Sequence, residues 1–223
     1  MEHIAYLKQA SIRNGERTVL RNVDISLSKA EFVYLVGKTG SGKSSLLKTL
    51  WGELPLLEGK GYIAGYDLTS LNRTQVSGLR RKLGIVFQEF YLFNEWTVKD
   101  NLMFVLDATG WKSKSDKLNR VIEVLSDVEL VNALDKKVHA MSGGEQQRLV
   151  IARAMLNTPQ IILADEPTGN LDPDTSVEIL RLLRALAVRY DTAILMATHD
   201  IRIIEKFPGR VYQCSDGLIT EID

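Results

Sequence analysis

The stretch Phe32-Val33-Tyr34-Leu35-Val36-Gly37-Lys38-Thr39-Gly40-Ser41-Gly42-Lys43-Ser44-Ser45 restricts this chain more than any other. A continuous apolar run, the mark of a strand buried on both faces, leads into a glycine followed four residues later by Gly-Lys-Ser. Leu46, Leu47 and Leu50 then open a helix. Glycines let the backbone turn its N–H groups inward, and the helix start adds positive partial charge, so the loop is built to cradle a polyphosphate. In such a loop Lys43 holds the β and γ phosphates and Ser44 holds Mg²⁺. A dinucleotide fold needs a third glycine where Ser45 stands, so that reading fails.

Further apolar runs, Gly84–Phe87, Gln160–Ala164 and Ala193–Ala197, alternate with helical patterns and predict a largely parallel α/β sheet. Residues 1 to 30 read as alternating short strands around a turn at Asn14-Gly15, and Asp216-Gly217 marks a terminal hairpin. Leu118, Val121, Ile122 and Leu125 fall on one helical stripe, and Thr97 with Asp100 resembles a capping box. Residues 91–141 therefore read as a helical insertion. With 223 residues and 45% hydrophobic content, one core with a small lobe is expected.

Lysine and arginine total 28 against 28 acidic residues, so no bulk field exists to hold a nucleic acid or an anionic membrane. Cys214 is the only cysteine, which excludes an intrachain disulfide and a multi-cysteine zinc site; a half-buried strand thiol is expected. No apolar run approaches the length of a membrane span, and Met1-Glu2-His3-Ile4 lacks a signal-peptide pattern. The expectation is a cytosolic chain, or one held to a membrane by something else.

Two more sites stand out. Asp165-Glu166 ends a strand where ligands of open α/β sheets gather, so Asp165 can assist Mg²⁺ while Glu166 orients or deprotonates a water attacking the γ-phosphate. Met141-Ser142-Gly143-Gly144-Glu145-Gln146-Gln147-Arg148 opens a second helix with capping-box spacing. Paired glycines and a hydroxyl at a helix start also suit an anion, and from this segment alone capping and phosphate binding stay equally open.

Phosphate loop, Gln88, the Ser142-Gly143-Gly144 helix start, Asp165-Glu166, Gly169-Asn170-Leu171-Asp172 and His199 follow in an order that resembles the ABC (ATP-binding-cassette) ATPases. Met141 and Glu145 depart from that family's Leu-Ser-Gly-Gly-Gln signature, while the serine and glycines are kept. The resemblance implies an α/β fold of the P-loop NTPase (RecA-like) type: a mostly parallel sheet, an N-terminal antiparallel β subdomain and an inserted helical subdomain. It implies one ABC ATPase domain over 1–223, with 1–90 and 142–223 as core and 91–141 as helical subdomain.

It further implies a homodimer formed on ATP binding. ATP and Mg²⁺ lie between residues 37–45 of one copy and Ser142, Gly143, Gly144 and Glu145 of the other. Gln88 then attends Mg²⁺ and the attacking water, His199 the γ-phosphate or Glu166, and Asp172 the other copy's site; Asp172-Pro173 also reads as a helix cap. Where the family stacks adenine on an aromatic residue, the matching position holds Arg13, whose guanidinium is expected to lie on the base. The resemblance also implies an integral membrane subunit docked on Glu89–Trp96, and thus a peripheral position on the cytoplasmic face of the cell membrane. The motifs fit the branch holding cell-division, lipoprotein-release and macrolide-export cassettes. The cell-division type is favoured, with an exporter ATPase and an ATP-gated scaffold of incidental turnover as alternatives.

Overall fold

The computed structural model describes residues 3–222; Met1 and Glu2 of the opening stretch, and Asp223, lie outside the described residues. Along the chain come β1 (His3–Asn14), β2 (Arg17–Ser28), β3 (Phe32–Val36), α1 (Lys43–Leu50), β4 (Glu58–Ile63), β5 (Tyr66–Asp67) and α2 (Arg73–Arg81). Then follow β6 (Leu83–Val86), α3 (Val98–Ala108), α4 (Lys114–Asp127), α5 (Gly143–Met155), β7 (Ile161–Asp165) and α6 (Pro173–Tyr190). The chain closes with β8 (Ala193–Thr198), α7 (Arg202–Lys206), β9 (Arg210–Ser215) and β10 (Leu218–Ile222).

Two sheets result. One is antiparallel in the order β2-β1-β4-β5; the other runs β10-β9-β3-β8-β7-β6 and is parallel throughout except for β10. The period of two along the parallel strands splits their side chains between two apolar layers. Tyr34, Ile162, Ala164, Ile194 and Met196 face the side of α5 and α6, while Val33, Leu35, Ile161, Leu163 and Leu195 face α1 and the antiparallel sheet. Both faces are covered, which is why these strands read as unbroken apolar runs.

The helices between β6 and α5 pack on the core. Val98, Leu102, Leu106, Val121, Val124 and Leu125 join Leu149, Val150 and Leu183 in one apolar cluster. On α4 the buried stripe is Val121, Val124 and Leu125, whereas Leu118 and Ile122 are exposed, so the stripe expected from the sequence is rotated by part of a turn. Thr97 caps α3 by accepting from the Asp100 amide at 3.1 Å, but its hydroxyl bonds the Asp100 carboxylate instead of receiving a full capping box. Aspartate is one methylene shorter than the glutamate that the box uses.

Other expectations need correction. β1 and β2 are 12 residues each, not short; positive φ at Gln9 (48°) and Asn22 (47°) and shifts of register mark bulges that break their alternation. The hairpin loop is Gly15-Glu16, because Asn14 pairs with Arg17, and Gly15 takes the positive φ of 59°. At Asp216 and Gly217 both φ values are positive, as a tight two-residue loop requires. Cys214 is buried, not half-buried. Among the described residues no helix is long and apolar enough to cross a membrane.

Leu195 lies on β8, between β3 and β7, with no exposed surface. Leu195→Ala is expected to lower stability by about 3 kcal/mol through lost transfer energy and the cavity left behind, read from the shift of the urea midpoint.

Candidate nucleotide site

Parallel strands send their carboxyl ends to one edge, and the candidate residues come from the loops there. β3 feeds the 37–42 loop, β6 leads to Gln88, β7 ends at Asp165 ahead of Glu166, and β8 leads to His199. A cleft of about 380 Å³ gathers Gly40, Gly42, Lys43, Ser44, Gln88 and Glu166 among its walls, with Thr39, Ser45 and His199 beside them. Gly37, Lys38 and Ser41 line a neighbouring hollow behind the loop.

Close approach dictates the glycines. A Cβ at Gly37 would collide with the Cys214 carbonyl, and one at Gly42, where φ is 106°, would stand 2.8 Å from Val19. Lys43 is buried, and its Nζ donates to the carbonyls of Gly37 (2.7 Å) and Lys38 (3.2 Å) while lying 3.6 Å from Glu166 Oε1. Its charge is thus held inside the loop.

Asp165 Oδ1 is buried with no hydrogen-bond partner. Burial raises the Asp165 carboxyl above the usual range, and the nearby Ser44 hydroxyl and Lys43 charge partly offset this. An orphaned carboxylate oxygen beside a hydroxyl suits a hard cation that keeps water and phosphate oxygens, as Mg²⁺ does. Among the described residues no cluster of three His, Cys, Asp or Glu could hold an ion by itself, so the fit is to a cation brought with a polyphosphate.

Glu166 sits at a positive φ of 49°, rare for a side chain of its size, with its amide bonded to Ala197 O at 3.0 Å. Glu166 Oε2 faces His199 Nδ1 at 2.9 Å and accepts weakly from the His199 amide at 3.3 Å. His199 is largely exposed, so it is no core histidine. Gln88 is steadied by Asn170, whose side chain donates to its carbonyl at 3.1 Å.

Ser142 through Glu145 do not line this cleft. Ser142 caps α5 in a reciprocal box: its hydroxyl accepts from the Glu145 amide (3.2 Å), and Glu145 accepts from the Ser142 amide (2.7 Å) and from Lys136 (3.0 Å). The cap is therefore observed, and it leaves room for an anion, because the box does not commit the amides of Gly143 and Gly144. Asp172 caps α6, accepting from the amides of Asp174 and Thr175 at 3.1 and 3.0 Å.

Arg13 is not at the cleft. In the hairpin Asn14 pairs with Arg17 and Arg13 with Thr18, so alternation puts Asn14, Arg17 and Val19 on the cleft side and Arg13 on the other. Its guanidinium reaches back toward Glu16 O at 3.5 Å. Arg17 is not legible in the sequence because the base contact is assigned there by the position of the family's aromatic residue, which falls on Arg13, and Asn170 is not legible because nothing local marks a side chain that bonds a backbone 82 positions away.

A phosphate loop, a carboxylate pair and a histidine at one edge of such a sheet define a nucleotide-hydrolysing cassette, and the chain belongs to the ABC transporter family, whose model matches residues 20–169. It is an ABC ATPase, the nucleotide-binding subunit of such a system. Its relatives include the cell division ATP-binding protein FtsE of Streptococcus pneumoniae, 40% identical over 91% of this chain and 87% of that one. The FtsE of Escherichia coli K12 is 41% identical over 91% and 90%. Among solved structures, the ATP-binding cassette MJ0796, a dimer bound to ADP and Pi, has a TM-score of 0.85 at 33% identity over 98% of both chains. The cbiO1 subunit from Clostridium perfringens has a TM-score of 0.90 at 27% identity, over 99% of this chain and 88% of that one.

The Glu145 carboxyl is held below its usual range, first by the Ser142 amide and then by Lys136. A depressed folded-state value stabilises the fold above the unfolded value of about 4.3 and loses that effect as pH falls through the folded value. Glu145→Gln is expected to remove this part of the acid sensitivity, so melting curves of variant and parent should converge as pH falls below 4.3.

Proposed function

We propose that this chain is an FtsE-type ATPase that dimerises on ATP with Mg²⁺ and drives an integral membrane partner of the FtsX-like permease kind, regulating septal cell-wall hydrolysis. The carrying observation is that its two phosphate-suited helix starts, at Gly42 and at Ser142, do not share one cleft. A second copy, turned head to tail, would bring its Ser142, Gly143 and Gly144 to the phosphates held by Lys43. The dimeric MJ0796 cassette and the FtsE relatives support this reading.

In the closed pair Lys43 neutralises the β and γ phosphates, and the 37–45 loop donates its amides. Glu166, aimed by His199, accepts the proton of the attacking water as its oxygen bonds to the γ-phosphorus and the bond to ADP breaks. Mg²⁺ held by Ser44, Asp165 and Gln88 would supply charge neutralisation for the phosphates. Once the γ-phosphate has left, the attraction across the pair is gone, and the subunits separate. Gln88 and Asp172 are the links from this chemistry to the aromatic segment and to the opposite copy. The peripheral position, on the cytoplasmic face of the membrane, follows from the partner.

Glu166→Gln is expected to bind ATP, form a stable dimer in sedimentation velocity and lose nearly all turnover, while Lys43→Ala loses nucleotide binding. Monomers alone in Glu166→Gln with ATP and Mg²⁺ would overturn the reading. Copurification from cells identifies the partner: an FtsX-like protein supports the division role, a solute exporter the alternative, and septal recruitment unaffected by Glu166→Gln a scaffold.

Arg17 replaces Arg13 as the residue facing the base. Arg17→Ala should weaken ATP binding about fivefold, the worth of about 1 kcal/mol of cation–π attraction. Arg13→Ala should leave it unchanged in equilibrium titration.

A further inference from the structure

α5 carries Ser142, Gly143 and Gly144 at its start and Arg153 in its last turn. The Arg153 guanidinium forks onto two successive carbonyls, Tyr91 O at 2.6 Å and Phe90 O at 2.9 Å. Among the described residues no carboxylate pairs with it, and burial pushes its pKa down to about 10; it stays charged at neutral pH with those carbonyls as its compensation. A planar guanidinium holds its donors in a rigid fork and so fixes the two carbonyls relative to each other, whereas an ammonium is a compact charge on a flexible stem. Tyr91 is held at φ 47°, an uncommon conformation for an aromatic residue, and its ring packs edge-on against Phe87, next to Gln88.

The far end of the same segment is tied to the chain just ahead of Ser142. Asn94 O accepts from the His139 amide and Trp96 O from the Val138 amide, both at 3.1 Å. Between these ties Phe93 and Trp96 stack at 4.3 Å beside Phe104, and each is at least 40% exposed. Residues 90–97 are thus clamped to the last turn of α5 and to its approach, with an aromatic surface facing outward.

We propose that Arg153 is a positioning residue that couples this aromatic segment to α5, so that contact on the segment sets where Ser142, Gly143 and Gly144 stand. The idea rests on the two-copy reading above. Arg153 touches neither phosphate site; it acts through the helix, whose hydrogen-bonded backbone moves as a unit.

The test uses the full chain in the Glu166→Gln background, with Arg153→Met and Arg153→Lys. Arg153→Met is expected to keep ADP affinity within twofold and to weaken ATP-driven dimerisation at least tenfold, with Arg153→Lys restoring part of it. Unchanged dimerisation, or a loss matched by ADP affinity and Tm, overturns the proposal. Amide hydrogen exchange needs no Arg153 variant: on adding ATP and Mg²⁺, protection at 90–97 and 142–155 should change together, and change confined to 37–45 and 142–144 would refute the coupling. If Glu166→Gln stays monomeric, the two-copy reading falls by itself. Exchange at 142–145 in Arg153→Met against parent then still decides: faster exchange supports the coupling, equal exchange overturns it.

Discussion

A parallel sheet cannot scatter its strand ends. In this chain β3, β6, β7 and β8 all point the same way, so the loops that leave them meet at one edge. The site depends on that constraint: the glycine loop, Gln88, the two carboxylates and His199 are far apart in the chain and neighbours only because the strands align. Burial of both sheet faces holds the edge rigid, and a rigid edge can keep Glu166 at a strained φ with His199 at hydrogen-bond distance.

The second phosphate-suited helix start is positioned by different physics. α5 packs through Leu149, Val150 and Ile151 into the layer shared with α3 and α4, and its first turn is left outside the cleft. In the proposed arrangement a second copy supplies the missing surface, one that is complementary by symmetry. Under that proposal a small ligand would control a large assembly, because the attraction it supplies vanishes when one bond breaks.

Between these two parts runs the segment from Gln88 to Thr97. It is short, aromatic and rich in carbonyls used by distant donors: Asn170, Arg153, His139 and Val138 all bond to its backbone. A loop satisfied in this way is part of the packed structure, and under the coupling proposed for Arg153 a displacement at its outer face would reach the elements that carry those donors.

Local sequence determined much of this protein. Gly37, Gly42, Lys43 and Ser44 follow from the covalent needs of a loop that wraps an anion, and the buried strands follow from unbroken apolar runs, because both are properties of adjacent residues. The caps at Ser142 and Asp172 were legible for the same reason. β4 was not, since Glu58-Gly59-Lys60-Gly61 has no apolar run and is a strand because β1 offers that stretch a partner. The exposure of Leu118 and Ile122, the turning away of Arg13 and the reach of Arg153 to Phe90 and Tyr91 were likewise decided by the tertiary structure. Each depends on which face a neighbouring element covers, and that is settled only when elements distant in sequence pack and their remaining backbone groups find donors.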